Sequence, residues 1–255
     1  MRLDKKLTEM VQSRSRAKDL IVSGHVRLNG EIITKPAYPY QGEKITIDMP
    51  LYVGRGAQKL LHALKMGTVS PKGCIALDIG ASTGGFTEVL LEYGAERVYA
   101  VDVGRDQLDV KLKVDPRVVS MENTDARRLT REKVPGINFL TMDVSFISIQ
   151  KVLPTLFDLL SPGSPFVILV KPQFELGKDR VPKSGVVKSE RDRAEVVASS
   201  KLFCEDYGFQ VEVVIESPIR GGEGNIEYLF IGHRKEQMYE KIHKATHDSR
   251  SHRGT

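Results

Sequence analysis

The segment Val167-Ile168-Leu169-Val170-Lys171-Pro172 runs four apolar residues straight into a lysine. Four such residues in a row fit a strand buried on both faces. The ammonium of Lys171 then stands at the strand's tip, where it either snorkels to water or serves a reaction. Three carboxylates occupy comparable places: Asp78 in LDIG, Asp102 in YAVDV and Asp143 in TMDVS, each closing an apolar run. Asp125 lies just beyond another run, in ENTDAR. In an open α/β sheet, ligands bind outside the carboxyl ends of the strands, so groups at these positions converge on one crevice.

The stretch DIGASTGGFTEVLL gives that crevice a glycine turn between a strand and a helix. Gly80, Gly84 and Gly85 permit close backbone approach, Ser82 and Thr83 add hydroxyls, and Phe86 follows in the first helical turn. The spacing is not that of a dinucleotide fingerprint, and an acid directly before the turn suits a cofactor with positive charge and no phosphate. S-adenosylmethionine, with its sulfonium and ammonium, is such a cofactor. Asp102, about twenty residues past the glycines, can accept from both hydroxyls of a ribose, and Asp125 either accepts from an adenine amino group or is a loop acid or helix cap.

The elements that must carry these residues read as follows. From Cys74 onward, short apolar runs alternate with helical segments, which implies a mostly parallel sheet of the Rossmann-like α/β class. DQLDVKLK and IQKVLPTLFDLL are among the expected helices. The last two runs, FQVEVVIES and EYLFIGH, have only PIRGGEGNI between them and predict a terminal antiparallel hairpin. Residues 1–50 form a separate small α+β unit. It has two helices, the second capped by Ser13 or Ser15 and ended by Gly24, and then a hairpin turning at Asn29-Gly30. Residues 51–58 read as a linker, 59–233 as the large domain and 234–255 as a polar tail.

The chain has 255 residues, 40% apolar and 28% charged, a net charge of +5 and a pI near 9.1. The basic balance fits a polyanionic partner. Residues 1–50 hold nine lysines and arginines against six acids. Arg14, Arg16, Lys18, Arg27 and Arg55, with Lys178, Arg180 and Lys183 in the loop after Lys171, are the candidate contacts to the phosphates of such a partner. No apolar run approaches the length of a membrane span, and the first residues lack a secretory pattern. A cytoplasmic protein without stable membrane association is therefore expected. Cys74 and Cys204 read as reduced thiols, and the i,i+4 pair His243 and His247 has no further ligand signature, so no metal is assigned.

The motifs in order resemble the FtsJ-like ribose 2′-O-methyltransferases. Lys59 in GRGAQKL, Asp143 in MDVSFIS, Lys171 in LVKPQFE and Glu227 in GNIEYLF match that family's Lys-Asp-Lys-Glu tetrad. RLDKKL and SRSRAKDLIVSGHVRLNG resemble the ribosomal-protein S-four-type RNA-binding domain. The combination is similar to the TlyA, or haemolysin A, family. One departure is YVGRG, with Tyr52 where that family often carries tryptophan. The resemblance implies S-adenosylmethionine-dependent methylation of ribose in ribosomal RNA or ribosomal subunits. Lys171 would be the base, Lys59 a second cation, and Asp143 and Glu227 the groups that orient them. A free lysine titrates near about 10.4, and lowering it about three units, roughly 4 kcal/mol, would let it act near neutrality. Three other readings stay open: a membrane-active haemolysin, an RNA-binding protein with an inactive methyltransferase fold, and an NAD-dependent dehydrogenase. The oligomeric state is left open.

Overall fold

The computed structural model describes residues 1–11, 14–48, 52–177 and 179–236. The expected Ser13 cap, Lys178 and both tail histidines lie outside them. Contacts divide the chain into two compact units, Met1–Arg55 and Gly56 onward.

In the first unit, α1 (Leu3–Val11) and α2 (Arg14–Val22) precede a three-stranded antiparallel sheet. Its strands are β1 (Val26–Leu28), β2 (Glu31–Ile32) and β3 (Ile45–Ile47), with β1 central. Leu3, Leu7 and Val11 on α1 meet Ala17, Leu20 and Ile21 on α2 over Val26 and Leu28. Helical spacing on two helices and alternation on one strand thus share one core. The hairpin turns at Asn29 (φ 48°) and Gly30 (φ 94°), where both central residues need left-handed backbone. Gly24 (φ 75°) ends α2, its N–H donating to the Ile21 carbonyl.

The second unit opens with α3 (Gly56–Lys65) and then alternates strand and helix. The order is β4 (Ile75–Ile79), α4 (Gly85–Glu92), β5 (Arg97–Val101), α5 (Val110–Lys113), β6 (Val118–Met121), β7 (Phe139–Met142), α6 (Leu153–Leu156) and β8 (Pro165–Val170). The unit is completed by α7 (Pro172–Glu175), α8 (Glu190–Asp206), β9 (Phe209–Glu216) and β10 (Tyr228–Arg234). The seven strands lie in the order β6-β5-β4-β7-β8-β10-β9. The first five are parallel, and β10 runs antiparallel to both β8 and β9. The chain leaves β4 toward one edge through β5 and β6, then returns to build the other side from β7. The topological switch therefore lies between β4 and β7, where an open sheet leaves its crevice.

Two expected helices come out shorter. In DQLDVKLK only Val110–Lys113 is helical, because the Asp109 carboxylate accepts from the Lys111 N–H and caps the helix there. IQKVLPTLFDLL breaks into a 3-10 turn, α6 and another 3-10 turn. Pro154 can occupy a first helical turn but cannot donate within a longer helix. Pro172 likewise both stops β8 and opens α7.

Candidate active site

Three strands of the large sheet and one helix bring the four tetrad residues together. Lys171 follows the last residue of β8, and Asp143 follows the last residue of β7. Lys59 lies on the inward face of α3 with Ala57, Leu60 and Ala63. Glu227 precedes β10, and the register explains its place: Tyr228 pairs with Val170. Because β10 runs antiparallel, its beginning reaches the edge at which the parallel strands end.

Asp143 stands between the two lysines. Its Oδ1 lies 2.6 Å from the Lys171 Nζ and its Oδ2 3.6 Å from the Lys59 Nζ. Lys59 is also 2.7 Å from Glu227 Oε2, and Lys171 donates to Ser145 Oγ at 2.7 Å. Lys59, Lys171 and Glu227 are 6%, 7% and 2% exposed. Groups this buried interact in a low dielectric, so their pairing is strong and the loss of a partner costly. Burial pushes the Asp143 carboxyl up, but the ammoniums of Lys59 and Lys171 outweigh it and hold the group below its ordinary value.

The glycine turn packs directly on this cluster. A side chain at Gly80 (φ 80°) would reach 2.3 Å from the Asp143 carbonyl oxygen. Gly84 (φ 97°) precedes α4 with no side-chain cap, so the amides of Gly85 and the first turn have no capping side chain. Ser82 is exposed at the turn, whereas Phe86 is buried against Gly56. Asp102 accepts from the backbone N–H of Ser82 at 2.8 Å and of Gly104 at 2.7 Å. Its carboxylate ties the turn to β5 and keeps lone pairs for other donors.

Asp78 and Asp125 sit differently from the simple picture of acids at strand tips. Asp78 is inside β4 and wholly buried, accepting from Thr87 Oγ1 at 2.7 Å and Thr141 Oγ1 at 2.9 Å. Burial raises its carboxyl to about 6, with the two hydroxyls opposing and Asp143 adding to the rise. The folded form thus holds a proton that the unfolded chain, at 3.8, releases. The stability this group contributes is full below about pH 4 and is lost as pH climbs to about 6, a change of about 3 kcal/mol. Asp78→Asn is expected to flatten that part of the profile. Denaturant unfolding from pH 4 to 7 should show wild type losing about 3 kcal/mol more than the variant. Equal slopes would count against the buried, proton-holding carboxyl. Asp125 caps the 3-10 turn Ala126–Arg128, and the Arg127 guanidinium holds its carboxyl down at about 2.

The expected RNA-facing cations are less uniform. Lys18 and Lys183 are exposed. Arg14 is half-exposed, 3.8 Å from Asp4. Arg16 is half-buried. Arg27 pairs with Asp48, and Arg55 with Asp19 at 2.8 Å. Arg180 is committed to Asp192 and Glu195. The loop after Lys171 is also tied down: Asn225 accepts from the Val187 N–H and donates to the Gly185 carbonyl, both at 2.9 Å.

Three residues beside the cluster escaped the sequence reading: Ser145, Phe146 and Phe174. Phe146 is 91% exposed with left-handed backbone (φ 64°). Its ring centroid lies 5.2 Å from that of Phe174, over which Lys171 Nζ sits at 5.9 Å. For Phe146 the signal in the sequence was an aromatic three residues past the acid that follows β7, which alone reads as core.

The FtsJ-like methyltransferase family matches residues 52–234, and the S4 domain matches residues 1–45. The 16S/23S rRNA (cytidine-2′-O)-methyltransferase TlyA of Mycobacterium tuberculosis is 42% identical over 225 residues, 86% of this chain and 84% of its own. This chain belongs to the TlyA family of FtsJ-like methyltransferases. Hemolysin A of Brachyspira hyodysenteriae, another relative, is 40% identical over 90% of this chain and 98% of its own. A solved structure of a protein from Streptococcus thermophilus superposes with a TM-score of 0.73 at 36% identity, covering 98% of each chain. Among the described residues of this TlyA-family chain, no helix is long and apolar enough to cross a membrane, and no group of metal-ligating side chains occurs.

Proposed function

We propose that this protein transfers a methyl group from S-adenosylmethionine to a ribose 2′-hydroxyl of ribosomal RNA, in the cytoplasm, with Lys171 taking the hydroxyl proton. The observation that carries this reading is the buried Lys59–Glu227 and Lys171–Asp143 pairing, closed into one cluster by Asp143. It lies against a glycine turn at the switch point of a methyltransferase-family domain. The residues present suit the cofactor. The uncapped start of α4 suits a carboxylate, and Asp102, which keeps lone pairs beyond the Ser82 and Gly104 amides, suits ribose hydroxyls. S-adenosylmethionine, when bound, supplies the electrophilic methyl group.

The two lysines divide the work by their neighbours. Lys59 faces two carboxylates, which suits a cation that holds the target's oxygen or phosphate. Lys171 faces one carboxylate and a neutral hydroxyl, which suits the proton acceptor. The remaining catalysis is positioning, since in-line displacement depends on geometry. An exposed Phe146 beside Lys171 suits a nucleobase, because stacking on aromatics is a common way to hold an unstacked base. Phe146→Ala is expected to cut kcat/KM for RNA by about tenfold to a hundredfold, while cofactor affinity stays unchanged. An unaltered kcat/KM for RNA would remove Phe146 from the reading.

The test of the whole reading is labelled methyl transfer to ribosomal RNA or subunits, followed by nucleoside analysis. A 2′-O-methylated ribose is expected; label on a base, or no transfer, would overturn it. A second reading, membrane lysis, has in its favour the name of the Hemolysin A relative. Leakage from liposomes at low protein concentration would support that reading instead.

A further inference from the structure

The buried lysines differ in their second partner. For Lys59 it is the tetrad's own Glu227, 3% exposed at its side chain; for Lys171 it is the Ser145 hydroxyl, which lies outside the tetrad. Ser145 is exposed, two residues beyond Asp143, whereas Lys171 is almost wholly buried. Its Oγ is thus a polar group joining the buried amine to solvent. A carboxylate can only accept, but a hydroxyl both donates and accepts. Ser145 Oγ can therefore accept from the ammonium form of Lys171 and donate to the free amine without any heavy atom moving.

We propose that Ser145 is a positioning residue for Lys171 and the outlet for its proton. The proposal rests on the reading of Lys171 as proton acceptor. After the target hydroxyl has given its proton to Nζ, the ammonium must lose one before it can act again. In that step a proton passes from Nζ to Ser145 Oγ while the proton already on Oγ passes to water. The lysine returns to the amine, the serine is unchanged, and one proton has left. The groups around Nζ set the balance. They are Asp143 after β7, Lys59 on α3 with its partner Glu227 before β10, Asp78 within β4 behind Asp143, and the Phe174 ring on α7. Glu175 on α7 is turned away, accepting from Ser148 Oγ and the Ile149 N–H. Without the serine hydroxyl, Lys171 keeps Asp143 at 2.6 Å but loses the hydrogen-bond neighbour that serves both of its forms.

The experiment compares wild type, Ser145→Ala and Ser145→Thr as full-length proteins, measuring methyl transfer to ribosomal RNA from pH 6 to 9. Ser145→Ala is expected to lower kcat by about tenfold and displace the rising limb of its pH profile, with KM for RNA and cofactor within about twofold. Ser145→Thr, which keeps the hydroxyl, should recover kcat to within about threefold. Wild-type kcat and pH profile in Ser145→Ala, or a threonine variant no better than alanine, would overturn the proposal. A 15N titration of the Lys171 Nζ by NMR separates the two layers of inference. If wild type transfers no methyl to ribose, the functional reading fails, yet the titration still decides for Ser145. A midpoint displaced in Ser145→Ala and restored in Ser145→Thr supports its coupling to Lys171, and superposable curves overturn it.

Discussion

With Lys171 as the proposed base, Lys171→Met is expected to lower kcat for methyl transfer by about 10²–10⁴-fold, the range for removing a positioned general base. Methionine keeps an unbranched stem of similar length, so the packing between the ends of β7 and β8 is largely retained. S-adenosylmethionine affinity, measured by calorimetry, should stay within about threefold, because the groups suited to hold the cofactor lie at Asp102 and the α4 turn. The variant also leaves Asp143 with Lys59 alone at 3.6 Å. Its carboxyl should then titrate higher than in wild type, since one of the two ammoniums that hold it down is gone. A variant with wild-type kcat would remove Lys171 from the chemistry whatever the rest of the site does.

Gly80→Ala is expected to have the next largest effect, through the backbone. At φ 80°, a Cβ would stand 2.3 Å from the Asp143 carbonyl oxygen and 2.8 Å from its carbonyl carbon. Neither is the flexible end of a side chain, so the β4 turn or the end of β7 must move. Overpacking and left-handed strain together cost about 3 kcal/mol, which lowers the melting temperature by roughly 6–12 °C in a domain of this size. A displacement of about 1 Å at Asp143 misplaces both lysines, and misplacement on that scale costs about 10²-fold in rate. Gly222→Ala is the matched control. Nothing lies within 4 Å of the place its added methyl would take and its backbone is ordinary, so its melting temperature should match wild type. Similar melting curves for both variants would refute the close packing of the turn on Asp143.

Much of this architecture was legible along the chain because it depends on local chemistry. The Asn29-Gly30 turn, the glycine turn after β4, the four-residue apolar run before Lys171 and the strand-helix alternation are short-range patterns with a physical reading of their own. Where two local signals competed, the sequence reading ran too long. Asp109 and Pro154 both sit within apolar helical spacing, and there capping and the missing proline donor override periodicity.

Residue types and their order pointed to Asp143 and Lys171 at the ends of apolar runs, and to Lys59 and Glu227 only through the resemblance to the FtsJ-like tetrad. They were not enough to bury Glu227 2.7 Å from Lys59. That depends on β10 inserting antiparallel beside β8, a pairing decided by hydrogen bonds between segments far apart in the chain. Nor did they give Lys171 a hydroxyl neighbour where Lys59 has a second carboxylate. Residue type fixes what a side chain can donate, accept or hold as charge. Its partners are fixed only when the ends of β4, β7 and β8 and the start of β10 share one edge of the sheet.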